Sequence, residues 1–390
     1  MRGLSRAGSA MLLGILGLTL LAAPFVAVGQ VGNSTPPAHL GAGAKLELVA
    51  EFPDRQITGV AVTETGRIFV NLPRWTTDVS VSVGELKNGR IIAYPDGGWN
   101  GWRNAAPLAP EDHFICVQSV VADGHGNLWA LDPAAPAMSG PVKDGPKLVR
   151  IRLRDDHVER VYRFSEKVAP PGSYLNDVRF SPDGQWAYLS DSGVKGALVV
   201  LDTRTGSARR VLDGDPSTQF DPSVKVQVEG HELRRPDGRG LDAGADGITV
   251  SPDGKWLYWQ ALRGRTLYRI GTGVLRDPGL AAADLSRHVE RVAQTHPTDG
   301  LWMDSGGELY VSNPETNGIE QGRPGAALMG LLTDSRLRWP DSFAQGPDGT
   351  LFITSSHIQD SPWFKPESRT TPSELWKIVG AQSSSSRPLH

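Results

Sequence analysis

A short hairpin motif recurs six times along this chain. In its clearest copy Ile248 and Val250 alternate with a polar residue, Ser251–Gly254 follows, and Trp256–Tyr258 begins a second apolar run. Alternation with a period of two is typical of a strand, and Ser-Pro-x-Gly is typical of a type I turn. The glycines that end the six turns are Gly66, Gly126, Gly184, Gly254, Gly307 and Gly349. Hairpins that recur every 40 to 70 residues, roughly, indicate a propeller or another repeat array.

The two ends of the repeat array predict how it closes. Lys45–Phe52 has the pattern of a strand but no local partner, and the same is true of Ser373–Val379. A ring of blades must pair its last edges to avoid exposing them. We therefore predict an all-β fold over residues 45–380, a six-bladed β-propeller closed by the N-terminal strand, with Leu46–Phe52 beside Leu375–Val379.

The segments outside the repeats are interpreted as targeting and connecting segments. Residues 1–29 have a basic start, an apolar run over Met11–Val28 and small residues at Ala27–Gly29, which is typical of a cleaved secretory signal. An uncleaved membrane anchor is the alternative, although Pro24 interrupts the run. Residues 30–44 are expected to be a linker and residues 381–390 a disordered tail. The expected location is secreted or periplasmic.

Composition limits the classes of partner. A net charge of −3 gives no reason to expect nucleic acid or, after signal cleavage, a membrane as partner, and we expect a monomer. Cys116 is the single cysteine, so no disulfide forms within the chain; it lies in an apolar run, which favours a buried small residue over a catalytic thiol.

A polar column lies eight residues before the turn glycines. Its members are Thr58, Gln118, Asn176, Asp246, Asp299 and Asp341. Equal offsets in equivalent blades place these side chains at one height around the axis, so we predict a ring at one mouth of the central channel. The alternative is that each side chain caps a neighbouring turn.

Three carboxylates that face one channel repel one another unless a cation neutralises them. An amine-bearing ligand would pair with Gln118, Asn176, Asp246, Asp299 and Asp341 and lay its ring on aromatic side chains. The aromatic candidates, each more often a core residue, are Trp75, Trp259, Trp302 and Phe343. No metal site is assigned firmly; if Ca²⁺ binds, its ligands are Asn176, Asp246 and Asp299.

The general base is not determined by the sequence. His296, three residues before Asp299, is the candidate by position, although a loop histidine before Pro297 is the plainer interpretation. His113, His125 and His357 also lie near blade ends. Motifs for zinc proteases, phosphate-binding loops and serine hydrolases are absent from the sequence. The long insertion Asp213–Gly244 is expected to arch over one face of the propeller.

Several longer segments resemble one known family. They are Ile57–Trp75, Val117–Asp132, Tyr174–Gly193, Gly247–Asp277 and Pro340–Ile353. Together they are similar to the major royal jelly protein and yellow family, which implies a six-bladed propeller. For function the resemblance implies a secreted binder of small amines or an enzyme of dopachrome conversion. Propeller lactonases of the gluconolactonase type have a similar polar ring, with Glu where this chain has Thr58.

Three functions follow as hypotheses. The first is a secreted propeller that binds a small aromatic or amine-bearing molecule in its channel, with dopachrome-type isomerase activity as a further step. The second is a Ca²⁺-dependent gluconolactonase-like hydrolase. The third is a binding propeller without chemistry.

Overall fold

The computed structural model describes residues 43–369 and 371–380. The predicted signal segment 1–29, nearly all of the linker 30–44 and the tail 381–390 lie outside the described residues. Over the described ranges no helix is both long and apolar enough to cross a membrane.

Within these residues six four-stranded antiparallel sheets follow one another, each beginning at its innermost strand. The chain starts with β1 (Lys45–Phe52), which belongs to the sixth blade. Blade 1 contains β2 (Val60–Val62), β3 (Ile68–Asn71), β4 (Val83–Lys87) and β5 (Arg90–Ala93). Blade 2 contains β6 (Ser119–Ala122), β7 (Asn127–Asp132), β8 (Lys147–Arg152) and β9 (His157–Arg163). Blade 3 contains β10 (Leu175–Phe180), β11 (Trp186–Asp191), β12 (Ala197–Asp202) and β13 (Ala208–Val211).

The second half repeats the pattern with additions. A small hairpin, β14 (Gln227–Val228) and β15 (His231–Glu232), precedes blade 4. Blade 4 contains β16 (Ala245–Val250), β17 (Trp256–Ala261), β18 (Thr266–Gly271) and β19 (Glu290–Gln294), with α1 (Thr272–Arg276) and α2 (Ala282–Arg287) between the last two. Blade 5 contains β20 (Leu301–Met303), β21 (Leu309–Asn313), β22 (Gly318–Gly322) and β23 (Met329–Thr333). Blade 6 contains β24 (Pro340–Gln345), β25 (Leu351–Ser355), β26 (Ser373–Val379) and β1. Short 3₁₀ turns span Pro136–Met138 and Ile358–Asp360.

The repeated hairpin turn fixes the inner half of each blade. In blade 4 the Gly254 amide donates to the Ser251 carbonyl oxygen at 2.8 Å, and the Asp253 carboxylate accepts from the Lys255 amide. All six turn glycines have φ between 66° and 83°, a left-handed backbone that glycine adopts without steric cost. The predicted six-bladed all-β fold is confirmed.

Apolar side chains of neighbouring blades pack into the core. Between blades 3 and 4, for example, Tyr188 and Leu198 pack with Ile248 and Trp259, all of them buried. Cys116 is likewise buried and unpaired, as predicted.

Strand β1 closes the ring. It pairs antiparallel with β26, so that Leu46 lies opposite Ile378 and Phe52 opposite Ser373. The sixth sheet has the order β1, β26, β25, β24. The predicted closure by the N-terminal strand is therefore confirmed, and it joins the two ends of the described chain in one blade.

A matched pair of leucines tests the contribution of this closure. Leu46 is 5% exposed and Leu48, on the same strand, is 51% exposed. Leu46→Ala is expected to lower the free energy of unfolding by about 2–5 kcal/mol because it leaves a cavity, whereas Leu48→Ala is expected to change it by less than about 0.5 kcal/mol. Urea unfolding measures both. Equal losses would mean that β1 does not pack on the sixth blade as described.

Candidate functional site

Five of the six column residues line one cavity at a mouth of the channel. They are Gln118, Asn176, Asp246, Asp299 and Asp341. Thr58 is fully buried and lies against blade 2, where its hydroxyl donates to the Gln118 carbonyl oxygen at 3.3 Å. The structure thus brings five of the predicted ring residues together and places Thr58 between blades.

A β-bulge presents the ring residue in three of the blades. In blade 4 the pairing moves from Ala245 opposite Ala261 to Ile248 opposite Trp259, so Asp246 and Gly247 share one partner residue. Blades 3 and 6 show the same shift, at Asn176 and Asp341 respectively. A bulge turns a side chain away from the direction that regular pairing gives it. These bulges were not predicted from the sequence.

Hydroxyl groups of the second strands satisfy backbone amides at the ring. In blade 3 the Ser190 hydroxyl accepts from the Asp177 amide and donates to the Asp246 carbonyl oxygen of blade 4 at 2.6 Å. In blade 6 the Thr354 hydroxyl accepts from the Ser342 amide and donates to the Thr58 carbonyl oxygen of blade 1 at 2.7 Å. Each of these two hydroxyls therefore links two neighbouring blades directly below the ring.

Glycine after the ring residue allows the innermost strands to approach closely. A Cβ atom at Gly300 would lie 1.8 Å from the Asp341 carbonyl oxygen, a separation that no side chain tolerates. At Gly247 the corresponding distance to the Asp299 carbonyl oxygen is 2.4 Å. The carboxyls of blades 4, 5 and 6 are therefore held on closely packed strands.

Burial governs the protonation of these carboxyls. It raises the pKa of Asp246 well above its usual range, and the charges of Asp299 and Asp341 raise it further. Burial and the charge of Asp299 likewise raise the pKa of Asp341 well above its usual range. Burial raises the pKa of Asp299 to about 6, against the opposing effect of hydrogen bonds from Trp339 and Asp246.

These shifts set the order in which the three carboxyls ionise. The upward shifts of the pKa of Asp246 and Asp341 exceed that of Asp299, so Asp299 is the first of the three to lose its proton as pH rises. The hydrogen bond between Asp246 and Asp299 acts in the same sense, because it raises the pKa of Asp246 and lowers the pKa of Asp299. The group therefore takes its first negative charge on Asp299, at a pH of about 6.

Trp339 fixes the ionised member of the group. Its fully buried indole N–H donates to Asp299 Oδ2 at 2.6 Å. The backbone of Trp339 has φ of 56°, a left-handed conformation that costs a bulky residue about 1–3 kcal/mol. Such strain is typical of functional sites, and here it directs the indole onto Asp299.

One wall of the cavity is an aromatic and amide hydrogen-bond chain. Trp75 Nε1 donates to the Tyr174 hydroxyl at 2.6 Å, and this hydroxyl donates to Gln118 Oε1 at 2.9 Å. Gln118 Nε2 then donates to Asn176 Oδ1 at 3.3 Å, and Asn176 Nδ2 donates to the Ser192 hydroxyl at 2.8 Å. The amides of the ring are thereby oriented by partners rather than free to rotate.

Loops complete the mouth of the cavity. The insertion Asp213–Gly244 contributes Arg235, Leu241, Asp242 and Ala243 to the lining, as expected of a segment that covers one face. Trp363 also lines the cavity and packs on Trp75, with ring centroids 5.0 Å apart. Three lining residues, Tyr174, Arg235 and Trp363, were not predicted from the sequence, because a periodic column cannot identify residues that come from loops of unequal length.

The other candidates lie elsewhere. His296 is not among the residues of this cavity; its ring contacts Glu315 at 3.7 Å and Glu320 at 3.3 Å. His113, His125 and His357 do not line it either. Of the aromatic candidates, Trp75 lines the cavity, Trp302 and Phe343 line a different one, and Trp259 is buried in the core.

The ring residues do not fit a calcium ion as they stand. Among the described side chains no three His, Cys, Asp or Glu form a group that could hold a metal ion. Asp299 accepts from Trp339 and Asp246, and Asn176 Oδ1 faces Gln118 Nε2. Ca²⁺ requires six to eight oxygen ligands, roughly, so we derive no chemical step through a metal.

The architecture defines a six-bladed propeller with an acidic ring at one channel mouth. The model of the major royal jelly protein family matches residues 115–324, more than half of the chain. The chain belongs to the major royal jelly protein family. The comparison with curated proteins found no match.

Solved structures with the same fold are distant in sequence. A gluconolactonase from Xanthomonas campestris is 15% identical, with 87% of this chain and 90% of that chain covered and a TM-score of 0.51. A streptogramin B lyase is 13% identical, with 86% and 98% covered and a TM-score of 0.50. A luciferin-regenerating enzyme is 12% identical, with 87% and 96% covered and a TM-score of 0.50. At such identities the likeness shows the fold alone.

Replacing Asp246 by its uncharged isostere tests the assignment of protons. Asn at position 246 can still donate to Asp299 but cannot ionise, so Asp246→Asn is expected to raise the melting temperature of the empty protein at pH 8. A raised pKa means that the folded protein retains a proton which the unfolded chain loses above about pH 4, and folding is weakened as pH rises. The gain should therefore shrink toward pH 4. Thermal unfolding at both pH values measures it.

Asp191→Asn is the control. Asp191 is a buried carboxylate outside the ring, which accepts from the Tyr174 amide and pairs with Arg210 at 2.5 Å. Its replacement is expected to destabilise by about 3 kcal/mol or more because it breaks a buried ion pair and leaves Arg210 only its more exposed partner, Asp213. If Asp246→Asn destabilises the protein as Asp191→Asn does, Asp246 is a structural carboxylate.

Proposed function

We propose that this protein binds one singly charged organic amine, with its ammonium group on the carboxyls of the ring and its apolar part on the aromatic wall. The observation that supports this is the cavity floor, where three buried carboxyls meet and Asp299, which accepts from the Trp339 indole, is the first to take a negative charge. A monocation neutralises this charge, and an anion would be repelled. A buried ammonium can donate three hydrogen bonds, for which the ring offers carboxyl and amide oxygens.

The size of the cavity indicates how the ligand enters. The cavity is open at its mouth and has a volume of about 70 Å³, which suits the amine end of a ligand better than a bulky head group. The aromatic part would remain at the mouth, against Trp75 and Trp363. A primary amine is therefore favoured over a quaternary ammonium group of the same length.

Arg235 offers a hydrogen-bond donor for a second group on the ligand. It lines the mouth, and its buried Nε has no hydrogen-bond partner among the described residues. A ligand that carries a carboxylate beside its amine would satisfy this donor. A comparison of phenethylamine with phenylalanine would show whether the site takes the amine alone or the amino acid.

Calorimetric titration with phenethylamine tests the proposal. Phenethylamine is expected to bind to the wild type, whereas its trimethylammonium derivative and neutral phenethyl alcohol are expected to bind at least about tenfold more weakly, the alcohol because it lacks the charge. Asp299→Asn is expected to reduce the affinity for phenethylamine at least about tenfold.

Asp304→Asn is the matched control for this titration. Asp304 is a buried turn carboxylate that accepts from the Gly306 and Glu308 amides, and it does not line the cavity. Its variant is expected to lose stability but to bind phenethylamine normally. Equal loss of binding in both variants, or equal affinity for amine and alcohol, contradicts the proposal.

The proposal also fixes the direction of the pH dependence. Phenethylamine is charged throughout the range from pH 5 to pH 8, so the affinity should follow the ionisation of Asp299 and fall as pH drops through about 6. The hydrogen bond from Trp339 lowers the pKa of Asp299. Trp339→Phe removes that bond and should move the midpoint to higher pH by about one unit. Titrations at several pH values measure the midpoint; Trp302→Phe, outside this cavity, should leave it unchanged.

A second candidate is isomerisation of a dopachrome-like substrate. It is favoured by one observation: a carboxylate whose pKa is about 6 lies in a hydrogen bond with a protonated carboxyl. Asp299 could take a proton from the carbon beside a carbonyl group while Asp246 returns one to the product, with no net change in protons. The loss of dopachrome absorbance on addition of the protein tests this. Turnover that survives in Asp299→Asn, or no turnover in the wild type, rejects it.

A further inference from the structure

The opposite end of the channel holds a second cavity of about 230 Å³. It is bordered by the innermost strands of blades 1, 2 and 6, at the end where the hairpin turns lie, together with Arg179 of blade 3 and Trp302 of blade 5. It shares no lining residue with the ring cavity. The channel of the described protein thus contains two separate compartments.

The walls of this second cavity are mainly apolar. The side chains that form them include Val60, Val62, Val120, Ala122, Trp302 and Phe343. Glu64 lies at the rim and is exposed, so its charge is solvated. An apolar wall of this kind favours the aliphatic part of a ligand.

Arg179 is a buried cation at this cavity. The residue is only 8% exposed. Its Nη1 donates to Asp177 Oδ1 at 2.7 Å and to the Val178 carbonyl oxygen at 2.8 Å. Its Nη2 reaches across to blade 5 and donates to the Leu301 carbonyl oxygen at 3.2 Å. The side chain therefore lies across the channel, from blade 3 to blade 5.

The guanidinium of Arg179 has donor capacity that the protein does not use. Its Nε has no hydrogen-bond partner among the described residues, although it is buried. Nη2 carries two protons and makes one hydrogen bond. An unsatisfied buried donor costs about 1–3 kcal/mol, so a group that accepts from this guanidinium would recover the cost.

A carboxylate is the acceptor that fits. It matches the fork of a guanidinium and can pair with it bidentately. The ring aspartates and Asp177 lie further along the same channel, and their charge disfavours a dianion such as phosphate. A single carboxylate with an aliphatic tail would place its charge on Arg179 and its tail on the apolar walls.

We propose that the hairpin end of the channel is a second binding site, which takes an aliphatic monocarboxylate on Arg179. The site shares no lining residue with the amine site. Asp177 is the group with which the ligand carboxylate competes for the guanidinium, because it already accepts from Nη1.

Calorimetry of the whole protein with two eight-carbon probes tests the site. Octanoate and octanol share their tail and differ in charge. Octanoate is expected to bind at least about tenfold more tightly than octanol. Equal affinities for octanoate and octanol would overturn the proposal, since they would show a merely apolar cavity.

Two variants assign the preference to Arg179. Asp177→Asn removes the competing carboxylate and is expected to tighten octanoate binding. The double variant Asp177→Asn with Arg179→Met removes both charges, so it leaves no unpaired ion and keeps an apolar side chain against Trp302. It is expected to bind octanoate no better than octanol. Octanoate preference that persists in a folded double variant, as judged by its melting curve, would overturn the proposal.

Discussion

The burial of three aspartate carboxyls around one axis is the constraint on which the functional end of this propeller depends. Blades 2 to 6 each supply one residue to the ring cavity, and Asp246, Asp299 and Asp341 come from three consecutive blades. Three full charges on buried carboxyls would be costly, so burial raises the pKa of Asp246 and of Asp341 well above the usual range. The third is stabilised by the Trp339 indole and by a hydrogen bond from its neighbour.

The channel has a different character at its two ends. The ring end is acidic and narrow, with an aromatic wall and a loop-built mouth. The hairpin end is wider and apolar, and its cation is Arg179. The Asp177–Arg179 pair stands between them, and the charge of Asp177 also raises the pKa of Asp246 and Asp341. A ligand carboxylate on Arg179 would therefore contact an ion pair whose other member, Asp177, acts electrostatically on the ring carboxyls.

The features that repeat in every blade could be predicted from the sequence, whereas the bulges and the contacts across the channel could not. The turn residues around positions such as Gly254 allowed the six hairpins to be aligned, and this alignment identified the ring column. The closing strand was predicted because a strand without a local partner lies at each end of the repeats. The bulges at Asn176, Asp246 and Asp341 could not be predicted, because a bulge interrupts the two-residue periodicity from which strands are recognised in a sequence. Arg179 occupies an ordinary strand position, and its role depends on Leu301, which is distant in the chain but adjacent across the channel.

Carboxyl-carbon NMR of aspartate-labelled protein without ligand measures the protonation of the ring directly. Asn variants at positions 246, 299 and 341 assign the three resonances. We expect Asp299 to titrate near pH 6, and Asp246 and Asp341 to titrate only at higher pH. Three resonances that all titrate near pH 4, the range of solvated aspartates, roughly, would show that burial does not hold protons on the ring.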